Sequence, residues 1–378
     1  MELTKCKLGE LLTQRREKND GSDLPICGVS KDGLIPPKQI DADTSIYNVF
    51  YRDDFIFNPA RMELNSIAIN DRYDRAICSS LYEVFFVHRT DLLLPHYLKL
   101  IVKQPWFTRY CEFLGQGSAR EYCRFNNISE IEVEFPSIEE QQKVIDYYAS
   151  IQNRIDIKKQ INDNLEATAR TIYKSYFVDF EPFDLVQPES WQEVTIDDIA
   201  KEVVCGKTPP TADAENYGGS VPFITIPDMH GSVYTTSTER FLSDKGVATQ
   251  ANKTLPENSI CVSCIASVGL VCLTAEPSQT NQQINSIVCK KKISPFYVYI
   301  KMTTFTEYLK QLGAGGSTTL NVNKTLFGQI PILLPDETVM NEFHRKVEPL
   351  FSAIRENQYE IQHLESLKSL LLTQISSR

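Results

Sequence analysis

The sequence holds no apolar run near the roughly 18 residues that cross a bilayer. It has no glycine-rich phosphate loop, neither GxxxxGK followed by Ser or Thr nor GxGxxG. Its five histidines form no HExxH or comparable ligand pattern. These absences exclude a membrane-spanning helix, P-loop hydrolysis, dinucleotide binding and a zincin site. No basic tail occurs either. The net charge is −10, and residues 1–135 carry 17 basic and 20 acidic side chains, while residues 181–335 carry 11 and 15. Any nucleic-acid surface is therefore a local patch on a mildly acidic body. The first twenty residues, MELTKCKLGELLTQRREKND, lack an apolar signal core, so the expected compartment is cytoplasmic. Ten scattered cysteines fit a reducing compartment. Cys261-x-x-Cys264 has no second pair at metal-ligand spacing, so no metal and no resident cofactor are expected.

What is present is a globular composition, 42% hydrophobic and 23% charged over 378 residues, enough for two or three domains. The dominant signal is an internal repeat at an offset of 199 residues. Gly117-Ser118 matches Gly316-Ser317, Phe135-Pro136 matches Leu334-Pro335, and Leu165-Glu166 matches Leu364-Glu365. Upstream of residue 107 the copies diverge, with only an echo of Asp54-Phe55-Ile56-Phe57 in Asn258-Ser259-Ile260-Cys261. A period this long is no solenoid. It marks a duplicated two-part module.

The distal part of each copy carries a coiled-coil seam. In the first, Val144, Tyr148, Ile151, Ile155, Lys158, Asn162, Leu165, Ala169, Ile172 and Tyr176 alternate spacings of four and three. In the second, Phe343, Val347, Leu350, Ile354, Asn357, Ile361, Leu364, Lys368, Leu371 and Ile375 do the same. Each helix opens after a proline with acidic residues that suit a helix N-terminus. The shared phase predicts that the two helices pair, antiparallel, with Lys158, Asn162, Asn357 and Lys368 fixing register. Each rod would measure about 58 Å. Seven-residue insertions between Asn162 and Leu165 and between Ile361 and Leu364 would preserve that phase.

The expected fold class is α+β. Two globular α/β domains, residues 1–135 and 181–335, alternate with helical spacers, residues 136–180 and 336–378. Residues 221–225, 259–262 and 284–288 read as strands, and residues 96–113 and 295–312 as helices. Residues 179–189, with Pro182 and Pro188, read as a linker. Polar turns remain: Gly206-Lys207-Thr208-Pro209, Asn281-Gln282-Gln283, and the two Gly-Ser loops that recur at one place in both copies. Such turns bring backbone N–H groups and short side chains to phosphates, and Arg, Gln and Asn read base edges.

These residues resemble the specificity subunits of type I restriction-modification systems. Phe135-Pro136-Ser137-Ile138-Glu139-Glu140-Gln141-Gln142 opens the first helix, and Ile172-Tyr173-Lys174-Ser175-Tyr176-Phe177-Val178-Asp179-Phe180 closes it. The second module adds Gly206-Lys207-Thr208-Pro209, Gly218-Gly219, Asp228 and Gln282-Gln283-Ile284-Asn285. Two departures stand out. The first module lacks the Gly-x-Thr-Pro opening, and Thr338-Val339-Met340 replaces Glu139-Glu140-Gln141 in the second helix.

The resemblance implies two target recognition domains, each reading half of a bipartite double-stranded DNA site. The helices would hold them apart and bind two DNA adenine methyltransferase subunits, joined by restriction motor-nuclease subunits. The chain itself would do no chemistry, S-adenosylmethionine and ATP belonging to the partners. Candidate DNA-binding residues are Arg61, Ser118, Arg120, Arg124, Lys207, Thr208, Gln282, Gln283, Ser317 and Lys324. Ten arginines in residues 1–135, against Arg240 alone in residues 181–335, predict a first half-site richer in guanine contacts. The rival reading is a coiled-coil protein-interaction adaptor that does not bind DNA.

Overall fold

The computed structural model describes residues 3–37, 39–40, 43–115, 122–314 and 320–376. The chain forms two compact units, Met1–Arg154 with Glu365–Arg378, and Ile155–Leu364. Each long helix, Ile138–Phe177 and Glu337–Ser376, contributes to both.

In the first unit, Thr4–Lys7 pairs antiparallel with Glu132–Phe135. A four-stranded sheet then runs in the order Leu12–Arg15, Glu83–Val87, Phe55–Phe57, Ile67–Ile69. A second sheet runs Gly33–Ile35, Ile26–Ser30, Arg75–Cys78, Asn48–Tyr51. The second unit repeats this plan. Gln192–Thr195 pairs with Pro331–Leu334. Ala200–Cys205, Ile284–Cys289, Ile260–Ser263 and Val271–Thr274 follow in the corresponding order. Arg240–Leu242, Tyr217–Ile224 and Gln279–Thr280 match the first three strands of the other sheet, including one parallel pairing in each copy. The duplication thus extends through the stretch where the two sequences have diverged. Tyr234–Thr235, parallel to Val271–Thr274, has no counterpart in the first unit's sheet.

The two long helices pair antiparallel, as the heptads predict. Ile155, Ala169, Phe343, Val347, Ile354 and Ile361 are buried along the seam. The polar seam residues satisfy one another. Lys158 Nζ donates to Asn357 Oδ1 at 2.7 Å and meets Glu360 at 2.8 Å, and Asn357 Nδ2 donates to Asn162 Oδ1 at 2.8 Å. In the first unit, Lys368 Nζ donates to Gln152 Oε1 at 2.8 Å and lies over the Tyr148 ring. One alternative register would strand these groups in an apolar seam, so they specify the pairing.

The helix starts dock by different chemistry. Gln141 is fully buried; its amide donates to the carbonyls of Leu92 (2.8 Å) and Pro136 (2.9 Å) and accepts from Leu94 N–H (2.9 Å). Met340, at the equivalent position, packs into the apolar core of the second unit. Gln141→Met, the residue of the other copy, would leave three buried backbone groups unpaired at about 1–3 kcal/mol each. Denaturant unfolding should show a loss of about 3 kcal/mol or more in the first unit. A loss below 0.5 kcal/mol would show that the amide does not hold the helix start.

Two sequence expectations need correction. Each segment read as one helix is two: Pro95–Val102 and Pro105–Gly115, then Pro295–Thr303 and Thr306–Gly313. Pro105 starts a new helix because the residue before proline is driven out of the helical region. In the second copy, the Thr303 and Thr304 hydroxyls bond to the carbonyls of Ile300 and Lys301, competing with the helix ladder. Residues 179–189 are not a free linker. Phe180 and Phe183 pack on Trp191, joining Tyr173, Tyr176, Phe177, Tyr297 and Phe343 in one aromatic core. The aromatic close of the first helix is therefore the anchor of the second module.

Candidate nucleic-acid interface

The antiparallel ladder between Ala200–Cys205 and Ile284–Cys289 ends in two polar turns. The backbone holds them together: Gly206 N–H donates to the Ile284 carbonyl and Lys207 N–H to that of Thr280. Thr208 donates its hydroxyl proton to Gln282 Oε1 at 2.7 Å. Tyr217 Oη donates to the Pro209 carbonyl, and Asn216 Nδ2 to that of Pro210. The turn is pinned residue by residue, yet the Lys207 and Gln282 side chains stay exposed. Cations and amides on a fixed backbone are what groove reading requires.

Gly206 is the reason the turns can meet. A Cβ there would sit 2.2 Å from the Asn281 carbonyl oxygen and 2.4 Å from that of Thr280. Gly206→Ala must push the two turns apart, because neither obstacle is a flexible side-chain end. DNA binding through this module should fall at least about tenfold, the loss of one bidentate base contact. Circular dichroism should meanwhile retain the fold. Unchanged affinity would remove these turns from the interface. Gly219 answers a similar constraint, since its Cβ would lie 2.3 Å from the Leu242 carbonyl oxygen. Asp228 accepts from Thr225 N–H, the Thr225 hydroxyl and Glu239 N–H, which fixes the turn after Tyr217–Ile224.

Lys324 opens the short helix Lys324–Gly328, capped by Asn323, and is exposed. Its approach strand is tied to the same edge: Val322 N–H donates to the Cys264 carbonyl, and Cys264 N–H to that of Gln283. Asn285 Nδ2 adds a bond to the Val322 carbonyl at 3.0 Å. Lys207, Thr208, Gln282 and Gln283 thus lie at one end of neighbouring strands of one sheet, and the segment leading to Lys324 is tied to that same end. Cys261 and Cys264 are buried there, and the described residues contain no cluster of three potential metal ligands.

In the first module, Cys123 N–H donates to the Pro59 carbonyl, which sets Arg61 and Arg124 on neighbouring segments. Arg61 is exposed. Arg124 pairs with Glu83 at 3.1 Å and lies over the Tyr122 ring. Ser118, Arg120 and Ser317 lie outside the described residues. Four more of the ten arginines pair with carboxylates of their own module. Arg15 with Asp54, Arg52 with Asp74, Arg75 with Glu17 and Asp20, and Arg89 with Asp91 all form ion pairs. Arg15 is also sandwiched between Tyr51 and Phe86. Burial pushes the Asp54 carboxyl up, opposed by the Arg15 bond. Arginine number alone is therefore a poor guide to guanine reading here.

Leu81 was invisible to sequence reasoning. It stands 78% exposed in the turn before Glu83–Val87, the place held in the second module by Asn281-Gln282-Gln283. A single leucine carries no pattern signal; only the matched topology exposes it as a turn tip.

The duplicated modules and helices can be compared with known proteins. Residues 40–167 and 188–365 match the family model for the type I restriction modification DNA specificity domain. The chain belongs to this family. The HindI specificity subunit of Haemophilus influenzae is 31% identical, covering 75% of this chain and 77% of its own. The MjaIX specificity subunit of Methanocaldococcus jannaschii is 24% identical, covering 75% and 69%. The solved S subunit from M. genitalium aligns over 99% of this chain and 96% of its own, with a TM-score of 0.64 at 14% identity, a likeness of fold. Sequence-specific DNA recognition within a restriction-modification system is the function of this specificity-family chain, and the adaptor reading falls away. Among the described residues, no helix is long and apolar enough to cross a membrane.

Proposed function

We propose that this specificity chain reads a bipartite DNA target, one half with each module, and performs no chemistry itself. Two adenine methyltransferase subunits, and motor-nuclease subunits with them, act at the sites it selects. S-adenosylmethionine and ATP are bound by those partners, in the cytoplasm. The observation that supports the reading is the repeated strand order, which gives both modules one plan and in the second brings Gly206–Pro209 and Asn281–Gln283 together at one end of its sheet. On this reading Lys207 and Lys324 meet phosphate, Thr208, Gln282 and Gln283 face base edges, Arg61 and Arg124 serve the first module with Ser118 and Arg120, and Ser317 serves the second. Leu81 meets an apolar feature such as a thymine methyl group. The acidic total is tolerable because the partner subunits supply further phosphate neutralisation.

The test is duplex binding by the full chain across a salt series. A DNA reader shows a steep linear fall of log K with log salt, whereas a chain without phosphate contacts shows none. Incubation of the purified chain alone with a methyl donor and a target duplex should transfer no methyl group. Transfer would overturn the division of labour.

A further inference from the structure

The turn at Asn281–Gln283 contains a polar relay whose direction is determined by the backbone. Gln283 N–H donates to Asn281 Oδ1 at 3.0 Å. A backbone amide can only donate, so the oxygen of Asn281 faces it and the nitrogen of Asn281 faces the other way. That nitrogen donates to Gln283 Oε1 at 3.0 Å. Asn281 is largely buried, at 9% exposure, and cannot readily turn over without losing both bonds. The orientation of the Gln283 amide follows. Its oxygen is half-occupied by Asn281, and among the described residues its nitrogen has no partner and is not buried. Thr208 loads the oxygen of Gln282 in the same sense. The edge therefore shows outward mainly N–H donors, with the Lys207 ammonium beside them.

We infer that Gln283 is a specificity-determining residue of the second module, oriented by Asn281 to donate to a base with adjacent acceptors, which in the major groove is guanine through O6 and N7. This rests on the functional reading above and sharpens it. Glutamine free to use both ends of its amide favours adenine, which offers one donor and one acceptor. The Asn281 relay removes half of that choice. Asn281 acts through Gln283 and is a positioning residue.

Two variants of the full-length chain test this, each read by selection of duplexes from a randomised pool. Gln283→Glu keeps an oxygen for Asn281 Nδ2 and turns an acceptor outward. It should exchange guanine at one position of one half-site for a base that presents a donor, cytosine or adenine. Asn281→Asp keeps an acceptor for Gln283 N–H but offers a second oxygen where the donor stood. The Gln283 amide should then turn its nitrogen inward, and the same position should move from guanine to adenine. The expected change in base preference is on the order of tenfold at that position. The first half-site should be selected unchanged, which shows that each variant is folded. A purely structural Asn281 would weaken all duplexes equally and leave the base ratio alone. A base preference unchanged from that of the unaltered chain in both variants overturns the inference while leaving the functional reading intact. No enrichment by the unchanged chain overturns both.

Discussion

Exchange of the second module for that of a relative changes one half of the methylated sequence and leaves the other half untouched. The expectation follows from two readers with the same strand plan and separate cores, each holding its own polar turns. Each replaced base contact is worth about 1–3 kcal/mol, so a half-site of several pairs is rewritten by orders of magnitude in affinity. The structure also says where to cut. A graft of residues 181–335 leaves Tyr297 and Phe296 of the incoming module against Tyr173, Phe177, Phe343 and Phe351 of the host helices. Mismatch in that close-packed aromatic core should lower stability by a few kcal/mol. A graft of residues 155–364 carries the whole compact unit and should escape this loss. Both grafts should give the same altered half-site by methylome sequencing. If both halves change together, the modules do not read separately.

Seven residues added to each long helix should lengthen the unread spacer between half-sites by up to about three base pairs. One heptad adds about 10.5 Å of helix, and B-DNA advances about 3.4 Å per pair. The insertions must lie opposite one another. Asn162 bonds to Asn357 and Lys158 to Glu360, so the cuts between Asn162 and Leu165 and between Ile361 and Leu364 fall at different levels of the pair. Residues between them would be displaced by a heptad against their partners. Cuts between Asp156 and Ile157 and between Ile361 and Gln362 face each other and keep Lys158, Asn162, Asn357 and Glu360 together. The added length also turns one reader about the duplex by about a third of a turn, so a shorter extension is the expected lower bound. A folded variant that methylates only the original spacing would show that the helices do not set the distance.

The seam was legible because pairing of two helices imposes a period that survives in the sequence, and its four polar members announced themselves by breaking it. The duplication was legible in the distal part of each copy, downstream of residue 107 in the first. Upstream, strands of the two modules share places in their sheets without sharing residues, since a buried strand asks for apolar side chains and little more. The role of the aromatic run from Tyr173 to Phe180 was also hidden: motif matching names it, while only packing shows that it is the second module's core.

The sequence by itself determined the number of modules, the helix pairing and the family, because these depend on spacing and on patterns tens of residues long. Tertiary structure alone decided which polar groups remain available. Ten arginines look like a reading surface until Asp54, Asp74 and Asp91 are found beside three of them. Two glutamines look alike for any base until Asn281 and Thr208 take up their oxygens. Availability is a difference between partners made and partners left over, and partners come from residues distant in the chain.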